Sequence, residues 1–362
     1  MRDNSLLFII NILSYREEIM RVNIRDVARE ANVSMSTVSR VINSNYPVKE
    51  ETRIRVEHAV KKLNFSPNTL ARSLISQNTK TIGILVPSIN NIFFPTVIKA
   101  IEYELRIKGY SIYLCDTDDS AAEEIKYIKS LMGRQVDGII VIDPKTENMK
   151  NGFYETVSSD IPLVSINGYN KDINCNFIIN DEASGARQAM QYLLKLGHEN
   201  IIFVRGKESY SYDIKEDIYN EFMEENKLTA QREIIDIGEG NSSKTVDGTI
   251  NIMSKKLEKL KELKEPLAIF ACNDLMAVGV MNACRIMNLE VPKDVSIIGF
   301  DNSYISTIVE PKLTTVDQNM YLLGENASKM LLDIIENKNE KIDKIVLKTQ
   351  LIIRSSCSNT NT

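Results

Sequence analysis

From Thr81 onward the chain alternates short, β-rich apolar runs with amphipathic helical stretches, and few folds can hold that pattern. The runs are TIGILVP (81–87), SIYLCD (111–116), DGIIVI (137–142), IPLVSIN (161–167), NIIFVRG (200–206), PLAIFACND (266–274) and DVSIIGFDN (294–302). Between the first two, residues 95–108 put Val97, Ile98, Ile101 and Leu105 on one helical face. Strands alternating with helices of this length form parallel, doubly wound sheets. About ten strands are too many for one ordinary sheet, so two α/β lobes are expected.

Ligands of such sheets bind outside the carboxyl ends of the strands. Here those ends carry Asp116, Asn167, Arg205, Asn273–Asp274 and Asp301–Asn302. The first strand runs into VPSINNIFFP, which has no glycine, so neither a dinucleotide fingerprint nor a P-loop fits. NNIFF places Phe93 and Phe94 there instead, as core residues or as aromatic walls of a cleft. Five scattered cysteines without a CxxC pair argue against disulfides and zinc and for a reducing cytoplasm. Two histidines, His58 and His198, leave little material for acid–base or metal chemistry. No cofactor, metal or catalytic group is expected. The apolar LLFII (6–10) is far too short to span a bilayer, which takes about 20 residues.

The region before Thr81 has a different character. The whole chain is acidic, with a net charge of −5, yet residues 20–80 hold eleven Lys and Arg against five Asp and Glu. A basic head on an acidic body suggests that the head meets a polyanion. Three helical segments can be read in it. IRDVAREA (24–31) buries Ile24, Val27 and Ala28; Ser34 caps a second helix to Asn43; Glu50 to Lys62 gives a third, with Ile54, Val56, Ala59, Val60 and Leu63 inward. Two short helices joined by a tight turn and braced by a third make a helix-turn-helix. Its second helix lies in the DNA major groove. The outward residues of SMSTVSRVIN (34–43) are Met35, Ser36, Thr37, Ser39, Arg40 and Asn43, small or hydrogen-bonding as the groove requires. Arg40 can pair bidentately with guanine.

FSPNTLARSLISQ (65–77) follows, a brief helix opened by Ser66–Pro67 with Leu70 and Leu74 on one face. IRDVAREANVSMSTVSRVIN, then VKEETRIRV and SPNTLARSL, closely resembles the lactose/galactose repressor family of bacterial transcription regulators. The likeness covers the head almost residue for residue and the chain from about residue 21 in outline. It implies an all-α DNA-binding head with a hinge helix, joined to the two-lobed fold of periplasmic sugar-binding proteins. It also implies roles. Met35, Ser36 and Arg40 read bases, while Asn23, Ser34, Thr37, Ser39 and Asn43 contact the DNA backbone. Leu70 meets its dimer mate, and Leu74 wedges into the minor groove beside Asn68 and Ala71.

In the body, the resemblance places Phe93 and Phe94 at the cleft mouth and makes Asn167 and Asp274 hydrogen-bond an effector. The alternative for Asp274 is a strand-end carboxylate capping the next helix. One segment departs from the family, which carries arginine, two residues, then Gly-Phe. Here KEDIY puts Lys215, Ile218 and Tyr219 in those places, so the arginine fork is lost.

The expected domains are an unstructured extension 1–19 (with Met20 as the natural start), the helix-turn-helix 20–64, the hinge helix 65–79, the effector-binding and dimerisation body 80–354, and a disordered tail 355–362. Within the body, one lobe is expected from 80–178 and 293–318, the other from 179–292 and 319–354. The function expected is that of a cytoplasmic, homodimeric repressor on a pseudo-palindromic operator, tuned by a sugar-like effector. The alternatives are a regulator with a phosphorylated carrier protein as co-effector, a ligand-binding protein with no DNA role, and an α/β enzyme, for which no nucleophile–base pair is visible.

Overall fold

The computed structural model describes residues 22–43, 46–65, 78–168, 173–207, 209–238, 240, 244–260, 266–336 and 343–360. The expected extension 1–19 and nearly all of the hinge helix, with Asn68, Leu70, Ala71 and Leu74, lie outside the described residues. The chain divides into two compact units, Met1–Thr79 and Lys80–Thr362.

In the head, α1 (Ile24–Glu30), α2 (Met35–Asn43) and α3 (Glu50–Lys62) close over Val27, Val38, Val56 and Ala59, each at most 1% exposed. Asn23 Oδ1 accepts the Arg25 and Asp26 amides, and the Asp26 carboxylate accepts that of Asn23, a capping box that fixes the start of α1. Ser34 Oγ accepts the Thr37 amide at 3.1 Å, so α2 starts where the capping pattern puts it. Ile54, expected in the core, is 58% exposed. Val56, Ala59 and Leu63 share one stripe, and a residue two before Val56 lies about 200° round the helix from it.

The body holds two six-stranded sheets. The first has the order β11-β5-β4-β3-β1-β2 and is parallel throughout: β1 (Thr81–Val86), β2 (Ser111–Asp116), β3 (Gly138–Ile142), β4 (Leu163–Ile166), β5 (Asn176–Asn180) and β11 (Lys344–Leu347). Helices α4 (Phe93–Ile107), α5 (Ala121–Gly133), α6 (Thr146–Lys150) and α7 (Phe153–Asp160) follow its strands. The second has the order β12-β10-β9-β8-β6-β7: β6 (Asn200–Arg205), β7 (Glu233–Asp236), β8 (Leu267–Ala271), β9 (Val295–Asp301), β10 (Thr314–Asp317) and β12 (Gln350–Ile352). Only β12 runs antiparallel among its described pairings. Its helices are α8 (Glu182–Lys195), α9 (Tyr210–Glu225), α10 (Thr245–Leu260), α11 (Asp274–Ile286) and α12 (Ile305–Ile308). The seven apolar runs of the sequence are all strands, and all but the edge strand β2 are nearly continuous in burial because both faces are covered.

The chain passes between lobes three times: after Asn180, after Asp317 and after Leu347. This corrects the expected partition. Residues 293–318 belong to the second lobe, since β9 pairs with β8 and β10 with β9. Within 319–354, α13 (Met320–Ile335) and β11 belong to the first. Gly324 of α13 leaves no room for a Cβ above Val97 O and Ala100 of α4, which is how the two helices approach so closely.

The expected disordered tail is also corrected. Ser356 is fully buried, accepting the Thr314 amide at 2.8 Å and donating to Ile297 O at 2.6 Å. Ser358 follows, its carbonyl 3.1 Å from Nε2 of buried His198. Serine-rich sequence reads as coil, but here its hydroxyls satisfy the backbone beside β9.

Candidate functional sites

On α2, Val38 is buried while Met35, Ser36 and Arg40 are exposed, and Thr37 and Ser39 are half-buried at the flanks. The side chain of Asn43 lies outside the described residues. Ser34 Oγ sits 2.8 Å from both Ser36 Oγ and Thr37 Oγ1, so the hydroxyls at the helix start form one cluster. The Arg40 guanidinium stands 5.6 Å from the Tyr46 ring, a cation–π contact that restricts a long side chain before it meets anything. Asn23 spends Oδ1 on its cap and keeps its amide donors for another partner. The outward surface is therefore slim, and each side chain on it carries a donor, an acceptor or a soft methyl.

In the body, strand ends from both lobes line one cleft: Asn91, Phe93, Phe94, Asp143 and Asn167 from the first lobe, Ser211, Tyr212, Lys215, Cys272, Asn273 and Asp301 from the second, with Gln318 between them. Its volume is about 30 Å³, room for about two waters. That volume leaves no room for a molecule the size of a sugar. Phe93 and Phe94 meet edge to face with centroids 5.4 Å apart, and they serve core and cleft together. Asn167 follows β4 in the left-handed region at φ 63°, which asparagine tolerates.

Lys215 is 1% exposed. Its Nζ donates to Ser211 Oγ at 2.6 Å, lies 3.6 Å from Glu182 Oε2 and stands 4.2 Å from the Phe300 ring centroid. This is the one member of KEDIY that reaches the cleft. Ile218 packs on the core, and Tyr219 is fully buried, donating to Ile201 O at 2.8 Å and accepting the Glu233 amide at 2.9 Å. The two apolar departures thus fill structural positions, and only the Arg-to-Lys departure lines the cleft.

Asp274 is corrected. Its Oδ2 accepts the Ser303 amide at 2.7 Å and the Ser303 hydroxyl at 2.8 Å, and its Oδ1 accepts Thr315 Oγ1 at 2.6 Å. Fully used and 1% exposed, it braces the loop after β9 and is absent from the cleft lining. The helix cap is Asn273, whose Oδ1 accepts the Met276 amide at 2.8 Å. The carboxylate that does face the cleft is Asp301, with Asp143 facing it from the end of β3. Asp143 follows DGIIVI directly, so the strand-end rule could have found it; Ser211 and Gln318 carry no such signal. Arg205 and Asp116 also miss the cleft. Arg205 is held by Asp213 and Glu216 of α9, and Asp116 accepts the Ile89 and Asp118 amides.

The cleft is a place of expensive charge. Burial first, then repulsion from Glu182 and Asp119, pushes the Asp143 carboxyl up to about 7. Burial and the neighbouring Asp274 hold Asp301 well above the usual carboxylate range. Two acids and Glu182 share one buried cation, Lys215, which favours neutral or hydroxyl-bearing matter over further anions. Among the described residues no cluster of His, Cys, Asp and Glu could hold a metal ion, and no helix is long and apolar enough to cross a membrane.

Residues 23–68 match the description "Bacterial regulatory proteins, lacI family", and residues 190–357 match "Periplasmic binding protein-like domain". The HTH-type transcriptional regulator RegA of Clostridium acetobutylicum is 36% identical, over 93% of this chain and 100% of that protein. Catabolite control protein A of Priestia megaterium is 35% identical, over 93% of this chain and 99% of that protein. The lac repressor dimer bound to operator and the anti-inducer ONPF aligns with a TM-score of 0.81 at 25% identity, covering 93% of this chain and 99% of that one. These relatives regulate transcription and are not enzymes. With a helix-turn-helix head, a two-lobed binding-protein body and identity along nearly its whole length, this chain belongs to the LacI family of bacterial DNA-binding transcriptional regulators.

Proposed function

We propose that the chain is a cytoplasmic repressor that acts as a homodimer on a pseudo-palindromic operator and is tuned by a neutral, sugar-like effector in the cleft. The observation that carries the reading is the outward row Met35, Ser36 and Arg40 on a helix whose Val38 is fully buried. Arg40 reads guanine, Met35 and Ser36 set the rest of the half-site, and Asn23, Ser34, Thr37, Ser39 and Asn43 hold the backbone. Leu70 pairs the hinge helices, while Leu74, flanked by Asn68 and Ala71, kinks the minor groove. The dimer is supported by exposed apolar side chains on α4 and the edge strand β2, with Tyr103 at 45%, Tyr113 at 47% and Leu114 at 44% exposure. The effector's hydroxyls donate to Asp143 and Asp301, its apolar face lies on Phe93 and Phe94, and Asn167 and Lys215 complete the polar ring.

Selection from randomised duplexes is expected to return an inverted repeat, with affinity falling steeply as salt rises. A single unpaired half-site, or affinity flat in salt, overturns the reading. In a thermal-shift screen, neutral mono- and disaccharides are expected to raise the midpoint and their phosphates to leave it unchanged. A second reading makes a phosphorylated carrier protein the co-effector, and the likeness to a catabolite control protein favours it. Stabilisation by such a carrier together with silence in the sugar screen would select it.

A further inference from the structure

Three buried side chains form one hydrogen-bonded chain from lobe to lobe. Asn180 ends β5 in the first sheet, Asp301 ends β9 in the second, and Gln318 sits in the crossover between β10 and α13. They are 5%, 7% and 3% exposed, respectively. Asn180 Nδ2 donates to Gln318 Oε1 at 3.0 Å, and Gln318 Nε2 donates to Asp301 Oδ1 at 2.6 Å. Gln318 and Asp301 both line the cleft. The residues that flank these three in the crossovers are hydrogen-bonded to one another. The Asp181 amide donates to Leu347 O at 2.8 Å, Thr349 Oγ1 donates to Asp181 O at 2.8 Å, and Asn319 Nδ2 donates to Lys348 O at 3.0 Å.

We propose that Gln318 is the residue that couples the cleft to the lobe crossovers: its side-chain amide carries the state of Asp301, on the second lobe, to Asn180, on the first. Its meaning for regulation rests on the cleft being the effector site, but its test does not. The physics is that of a primary amide, which donates from one end and accepts at the other. With Asp301 ionised, Gln318 must donate to it and therefore accepts from Asn180. In that direction Asn180 Oδ1 has no partner. With Asp301 neutral the chain can run the other way, the carboxyl donating to Gln318 Oε1 and Gln318 Nε2 donating to Asn180 Oδ1. A ligand hydroxyl that donates to Asp301 Oδ2 favours the ionised acid and the first direction. Occupancy of the cleft then sets which way the amides point at the crossover, where lobe closure pivots. Gln318 is a positioning residue in this scheme and acts through its two neighbours.

The test uses urea unfolding of the full chain without DNA or ligand. Asn180→Ala and Asp301→Ala are measured singly and together, in the presence of Gln318 and in a Gln318→Met background. With Gln318 present, the double variant is expected to depart from additivity by about threefold or more in the unfolding equilibrium constant. In the Gln318→Met background the two are expected to add. Additivity with Gln318 in place overturns the proposal, and so does a coupling that survives Gln318→Met. If any of these variants fails to fold, Gln318→Glu decides alone. It replaces the donor to Asp301 with a second carboxylate, and two such groups in contact share a proton. The other charged groups facing Asp301 are Asp274 of α11, Lys215 of α9 and Glu182 of α8, and all are unchanged. A pair whose folded pKa is raised stabilises below it and loses that stability as pH rises. Gln318→Glu is therefore expected to be less stable than the parent at pH 8 and to approach it at pH 5. A gap independent of pH overturns the proposal. Neither measurement involves an operator or a sugar, so loss of the effector reading leaves both interpretable.

Discussion

The outward side of α2 and the floor of the cleft are both polar, but they are polar at different cost. On α2, the side chains are small, solvated and bonded mainly to each other, as in the Ser34, Ser36 and Thr37 cluster. At the cleft, Lys215 and Asp301 of the lining and Glu182 behind Lys215 are all under 10% exposed, and each carboxylate or amine depends on partners from another element. A site that leaves its groups in water can change residues without threatening the fold. A site that buries them ties recognition to stability, so that ligand, protons and folding become linked.

The largest expected break in this contrast is Lys215→Met. Removing the buried cation leaves Glu182 with the Ser211 hydroxyl but no neighbouring positive charge, and is expected to cost about 3–5 kcal/mol of stability, read by urea unfolding. Adding Glu182→Gln is expected to recover much of the loss. A Lys215→Met protein as stable as its parent would dissolve the contrast. On the other side, Arg40→Ala is expected to weaken operator binding by about 1–3 kcal/mol, with relaxed preference at one base pair per half-site. Its melting temperature is expected to be unchanged, which calorimetry checks.

The acids of the first lobe sharpen the comparison through pH. Asp143 and the buried Glu124, which accepts the Lys145 amide and Asn148 Nδ2, are both pushed up to about 7, mainly by burial. Their unfolded values are lower, so the folded state binds more protons between roughly pH 4 and 7. Stability is therefore expected to fall as pH rises through that window, with a shallower slope in Asp143→Asn. Unfolding curves at pH 5 and pH 8 decide it. The smallest effect is Ser34→Ala, expected to cost about 1 kcal/mol through the lost cap, visible as lower stability of the head.

Much of the head was legible because its information is local. Ser34, Val38 and Arg40 each take their role from position in one helix, and the period of 3.6 residues settles it. Ile54 failed for the same reason, since apolar type was read where helical angle decides. The body was legible as architecture: seven apolar runs became strands. The strands left unread, NFIIN, EIID, TTVD, KIVL and QLI, are short and carry a polar or charged residue. The lobes were misassigned because chain order does not say which sheet accepts β9, whereas its pairing with β8 does.

The cleft was legible only in part. Phe93, Phe94, Asn167 and Lys215 are there, but Asp274 is not, although it stands one residue from Asn273, which is. Adjacent residues at a strand end point to different sides, and a one-residue choice exchanges ligand for structure. The sequence by itself determined a helix-turn-helix followed by parallel α/β lobes, because helical period and apolar runs are properties of neighbours in the chain. Tertiary structure alone decided which carboxylates face the cleft, what Lys215 is paired with, and that Asn180, Gln318 and Asp301 touch. The Asn180–Gln318 contact joins residues 138 positions apart, and only the folding of two sheets around three crossovers brings them within hydrogen-bonding distance.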